Sequence, residues 1–92
     1  MREEQIFRAR LQRDADGTWW FVHVPEEVRR AFAHLERRGH TRVWVTVGGT
    51  TWPASLMPWA DGSAQVVVNA KVRGRESLDL GQELEVRLTP RP

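Results

Sequence analysis

Three histidines, His23, His34 and His40, are the only imidazoles of the chain, so any metal or acid–base chemistry has to be sought there first. Their spacing argues against it. His34 and His40 are six apart across an expected helix end, and neither spacing is that of a zinc pair. His23 alternates with Trp19 and Phe21, which places it on the face of a strand. No carboxylate cluster accompanies any of the three, so structural or surface roles are expected, with no metal and no other cofactor. Ser55, Ser63 and Ser77 lack the surroundings of a nucleophile elbow. Gly48-Gly49 is too short for a phosphate loop and opens no helix. Asp14-Ala15-Asp16-Gly17 begins like a calcium loop, but the third acidic position and the closing glutamate are missing. Asp-Gly reads there as a hairpin turn. With no catalytic constellation in view, a non-enzymatic protein is expected.

Two other sets of side chains are chemically distinctive. Arg29, Arg30, Arg37, Arg38 and Arg42 form the densest basic stretch, and Lys71, Arg73 and Arg75 form a second group. Glu26, Glu27 and Glu36 partly offset the first, which suits a solvated helix face as well as a phosphate-binding one. From these we take Arg29, Arg30, Lys71, Arg73 and Arg75 as the candidate partner or anion surface. The aromatic candidates are Trp19 and Trp44. Alternation points each of them away from neighbouring valines, and such tryptophans are covered by a second layer of core, by a helix, or by a partner. Core or helix cover is the expectation, because so small a domain needs the burial.

The composition frames these sets. A chain of 92 residues makes one domain with one modest core, burying about 60–65% of its unfolded surface. The pI near 10.4 overstates the basicity, since the formal net charge is only +2. With no tyrosine, no cysteine and Lys71 as the single lysine, almost nothing titrates between the histidines and the arginines. The absence of cysteine excludes disulfides and thiolate metal sites. No stretch has the length of a signal peptide or a membrane span, so a cytoplasmic protein without membrane contact is expected.

The elements that must position these residues are legible. Gln5 to Leu11 alternates, with Phe7, Ala9 and Leu11 opposite Arg8 and Arg10, as a half-exposed strand does. Thr18 to Val24 is a second strand that runs into a helix at Pro25. Pro25 suits the first helical position, and Glu26 and Glu27 suit the positive end of the helix dipole. Val28, Ala31, Phe32 and Leu35 share one face, and a helix of about 25–38 is expected, stopped at Gly39. Thr41 to Val47 is a strand with Val43, Val45 and Val47 inward. Gly48-Gly49 closes a hairpin, and Thr50 to about Met57 returns with Pro53 at an edge. Pro58 to Gly62 turns, Ala64 to Val68 is a strand, a short helix spans about 70–75, and Glu83 to Leu88 is the last strand. Tails 1–4 and 90–92 are expected to fray.

Val24-Pro25-Glu26-Glu27-Val28-Arg29 is echoed 44 positions later by Val68-Asn69-Ala70-Lys71-Val72-Arg73. Two β-helix-β units in so short a chain imply a mainly β fold, a small six-stranded closed or split barrel with pseudo-two-fold symmetry. In it Arg29 and Arg73 occupy matching places near the two ends of the barrel. The order of motifs from Ile6 to Leu88 resembles the family catalogued as domain of unknown function 1905. The motifs are the Val-Pro-Glu-Glu-Val helix, the Gly-Gly hairpin, Leu56-Met57-Pro58, Asp61-Gly62, Lys71-Val72-Arg73 and Leu80-Gly81. The resemblance implies a double-split β-barrel akin to the swapped-hairpin folds of AbrB-like regulators. It departs from the family pattern at Gly81-Gln82, where Gly-Asp is usual, and the second domain common among relatives lies outside these residues. No catalytic residues come with the family.

The function expected is a small interaction or ligand-binding module, its partner a second copy of itself or another protein. A nucleic-acid binder is the first alternative, by analogy with AbrB-like folds. A small enzyme or ligand carrier is the second.

Overall fold

The computed structural model describes residues 3–92. Seven strand segments and two helices follow the chain: β1 (Gln5–Arg10), β2 (Gln12–Arg13), β3 (Trp20–Val24), α1 (Glu26–Ala31), β4 (Thr41–Val47), β5 (Thr50–Pro58), β6 (Ala64–Val67), α2 (Ala70–Arg75) and β7 (Glu83–Pro90). All pairings are antiparallel, in the order β1-β7-β4-β5-β6-β3-β2. The two ends of that order, β1 and β2, are one strand bent at the buried Leu11, whose carbonyl and N–H are taken by Gly81 and Gln82. The sheet therefore returns on itself as a barrel of six sides, which is why seven segments appear where six strands are expected. A seam remains between β5 and β6, paired only at Met57–Gln65 and Pro58–Ala64. Pro53 lies along that seam, where its missing N–H leaves no ladder bond unmade.

Alternation fills the interior. Val43, Val45, Val47, Leu84, Val86, Leu88, Val22, Val24 and Val66 point inward and are buried. The helices close the openings with Val28 and Phe32 on one side and Val72 on the other. No helix of the described residues is long and apolar enough to cross a membrane.

The two-fold relation extends round the whole ring. Exchanging β3 with β6, β4 with β7 and the bent β1–β2 strand with β5 reproduces every neighbour in the sheet. Val22 stands opposite Val66, its own counterpart 44 positions on, so the axis passes between them. The loops match as well: Asp14 N–H donates to the Trp19 carbonyl (3.0 Å) as Trp59 N–H donates to that of Ser63 (2.9 Å).

Two expectations are corrected. The helix of about 25–38 ends at Ala31, with Pro25 as the residue before it. At Phe32 the backbone leaves helical values, and a 3-10 turn, Ala33–Leu35, follows. Arg37 and His40 then exchange backbone bonds of 2.7 and 3.0 Å around Arg38 and Gly39, both at positive φ (53° and 82°). This is a two-residue hairpin turn of the primed type. It ends the helix because burying Phe32 in the barrel mouth turns the chain back early. The tail of 90–92 is also held: Pro90 belongs to β7 opposite Val43, and Arg91 N–H donates to the Arg42 carbonyl (3.1 Å). At the other end Glu3 meets His34 and Glu4 meets Arg87, while residues 1 and 2 lie outside the described residues.

Candidate functional site

Antiparallel β3 and β6 each run directly into a helix, so α1 and α2 sit at opposite ends of the barrel. The five basic candidates are consequently divided between two places. On α1, Arg29 is largely buried and committed: one Nη donates to the Ser63 carbonyl (3.2 Å), and the other pairs with Glu36 (3.3 Å). Arg30 pairs with Glu26 across one helical turn in solvent. On α2, Lys71 and Arg75 are exposed, and the Arg73 guanidinium lies 4.2 Å over the ring of Trp20.

The aromatic candidates are likewise apart. Trp19 is 56% exposed at the end of the loop whose Asp14 carboxylate accepts from the Thr18 and Trp19 N–H groups. Trp44 is 39% exposed on β4, beside Pro53 and Thr89, with Arg91 5.9 Å from its ring. β3 and β4 lie on opposite sides of the six-sided ring. No helix covers either indole, so the expected cover is corrected: six strands already supply enough inward side chains to fill so narrow a barrel.

The histidines go three ways. His23 packs at a tilt against Trp59, ring centres 4.8 Å apart, and Trp59 also meets Phe21 edge-on. His34 bonds Glu3 (3.0 Å), and His40 stands on the hairpin. Among the described residues no three or more His, Asp or Glu gather where a metal could be held. Near His23, Asp61 accepts from both the hydroxyl and the N–H of Ser63, and these bonds hold its carboxyl below the usual carboxylate range.

A cleft of about 690 Å³ lies on the outer wall, lined by Leu35, Arg37, His40, Arg42, Ser55 and the segment 90–92. Its construction follows from the register. Arg42 points outward on β4 and stands opposite Ser55 of β5. β7 flanks β4 on the other side, which brings Arg91 over the same wall. There Arg91 donates to the carbonyls of Val43 (3.3 Å) and Ala54 (2.9 Å) and is held in place. The hairpin adds Arg37, which donates to the Glu36 carbonyl, and His40. Three arginines and a histidine line one space, with no acidic side chain among the lining residues. Such a set has the chemistry to take oxyanions, because guanidinium forks match carboxylate and phosphate oxygens. Leu35, Pro90 and Pro92 add apolar wall to the cleft.

The basic run in the sequence contains Arg37 and Arg42, but Arg91 and His40 carry no signal there. They join the cleft through the β4–β7 pairing and the hairpin, which are tertiary facts.

A six-sided, nearly closed barrel built from two β–helix–β halves about a two-fold axis defines the class: a small mainly β barrel domain. The chain belongs to the family described as Domain of unknown function (DUF1905), whose model matches residues 7–88. No curated protein matches the chain.

Proposed function

We propose that this domain is a non-enzymatic binding module for a small anionic ligand, held in the cleft of Arg37, His40, Arg42 and Arg91. The observation that carries the reading is the charge of that lining: four basic side chains and no acidic one around about 690 Å³. The volume suits a compact metabolite-sized molecule, with a phosphate or several carboxylates at one end and an apolar part against Leu35 and the prolines. Ser55 adds a hydroxyl that donates or accepts. The absence of cysteine suits a cytoplasmic setting. A nucleic-acid surface needs basic side chains along one continuous track, and placing α1 and α2 at opposite ends of the barrel works against one.

Calorimetric titration with inorganic pyrophosphate tests the reading. Saturable one-to-one binding is expected, weakening as salt rises from about 50 to about 300 mM. Arg42→Gln is expected to lower the affinity by about tenfold or more. Absence of binding at the lower salt, or an unaffected Arg42→Gln variant, overturns it.

A further inference from the structure

Arg29 and Arg73 are two-fold counterparts, each following a buried valine of a six-residue helix, yet they are treated differently. Arg29 is satisfied at both forks, by the Ser63 carbonyl and by the Glu36 carboxylate. The matching carbonyl in the other half is that of Trp19, identified by the equivalent loop bond from Asp14. Arg73 does not bond it. The residue after Ser63 is the small, buried Ala64, whereas the residue after Trp19 is Trp20. At that place stands an indole where the other half has a methyl group, and the Arg73 guanidinium lies 4.2 Å over its ring. No carboxylate lies within ion-pair distance of Arg73 among the described residues. Its Nε is buried without a hydrogen-bond partner. Arg13, opposite Trp20 in the β2–β3 ladder, brings a second guanidinium 5.6 Å from the same ring.

We propose that Arg73, braced on Trp20, is a second ligand site of this barrel, separate from the cleft, and that it takes a carboxylate. The class follows from the internal template, since the group that completes Arg29 is the Glu36 carboxylate. At Arg73 that group comes from outside. The Trp20 ring braces the guanidinium at 4.2 Å, and its Nη groups, which no protein group among the described residues engages, remain to receive both oxygens of a planar carboxylate. Arg13 adds a second positive charge beside the same ring. The carboxylate belongs either to a small free acid or to an acidic side chain of a peptide; the chemistry at Arg73 is the same.

Proton–nitrogen correlation spectra of the folded protein read the site directly, because the indole face shifts the Arg73 Nε–H resonance upfield. The probes are glutarate, the peptide acetyl-Gly-Glu-Gly-amide and inorganic phosphate. Saturable shifts of the Arg73 and Trp20 side-chain signals with glutarate are expected for a free acid. The same shifts with the peptide alone identify an acidic side chain. Arg73→Lys keeps the charge but loses the planar fork, and a weakening of about tenfold is expected while the rest of the spectrum stays dispersed. Shifts confined to His40 and Arg42, or a response to phosphate and to neither carboxylate, overturn the proposal. So does an Arg73→Lys variant that binds as the parent does. Loss of pyrophosphate binding at the cleft in an Arg42→Gln protein leaves the Arg73 response intact, so the two readings fail separately.

Discussion

Val22 lies directly opposite Val66 in the β3–β6 ladder, and the 44 positions between them are also those between Arg29 and Arg73. One axis therefore relates the two halves in backbone and in sequence. What differs about that axis is informative: Ala64 against Trp20, and a satisfied arginine against an unsatisfied one. The halves share a common frame and differ in their polar chemistry.

Arg29 anchors α1 to the β5–β6 turn. Arg29→Ala strips Glu36 of its partner in a half-buried setting, and urea denaturation is expected to show a loss of about 1–2 kcal/mol. Arg30→Ala, whose pair with Glu26 lies in solvent, is expected to cost less than about 0.5 kcal/mol. Equal losses for the two would remove the anchoring role.

Arg38 holds a left-handed backbone (φ 53°) in the hairpin turn, a conformation that its Cβ disfavours. Arg38→Gly is expected to raise stability by about 0.5 kcal/mol, the relief of that strain exceeding the entropy glycine adds to the unfolded chain. A melting temperature that falls contradicts this.

Gly48 is favoured by a φ of 59°, and a Cβ there would also displace the Glu76 carboxylate from its bond with the Thr50 hydroxyl. Gly48→Ala is expected to cost about 2 kcal/mol or more. Gly49→Ala meets no atom within 4 Å and no positive φ, and its cost is expected to stay below about 1 kcal/mol. Thermal melts of the pair decide; similar losses refute the distinction.

Asp61 gives an acid-range prediction. Its carboxyl is held low by the Ser63 hydroxyl and N–H, with His23 nearby. A folded pKa below the unfolded value, about 3.9, makes its contribution complete above that value and lost as pH falls through the folded one. Asp61→Asn is therefore expected to lower the melting temperature near neutrality. The gap from the parent should close below about pH 4. A gap that stays constant down to about pH 2.5 contradicts the assignment.

Much of the fold was legible because it depends on local periodicity. Val43, Val45 and Val47 face inward because side chains of a strand alternate, whatever lies beyond it. The short helix of about 70–75 matches α2 (Ala70–Arg75), where the Asn69 side chain caps the Val72 N–H (3.0 Å). The echo at Val68 to Arg73 read the two-fold axis correctly, and it placed Arg29 and Arg73 at opposite ends of the barrel. The end of α1 was not legible. Apolar spacing continues through Leu35, and only the fit of Phe32 in the barrel mouth breaks the helix at Ala31.

The sequence by itself determined the mainly β architecture, its turns and its internal repeat, since each is written in a few consecutive residues. The tertiary structure alone decided which charges meet. Arg42 and Arg91 are 49 positions apart and join one cleft because β4 pairs with β7. Arg29 and Arg73 have matching neighbours in sequence and differ in surroundings: Arg73 lies over Trp20, 53 positions before it, whereas Ala64 stands at the matching position of the other half. Long-range pairing brings such residues together, and no local pattern encodes the result.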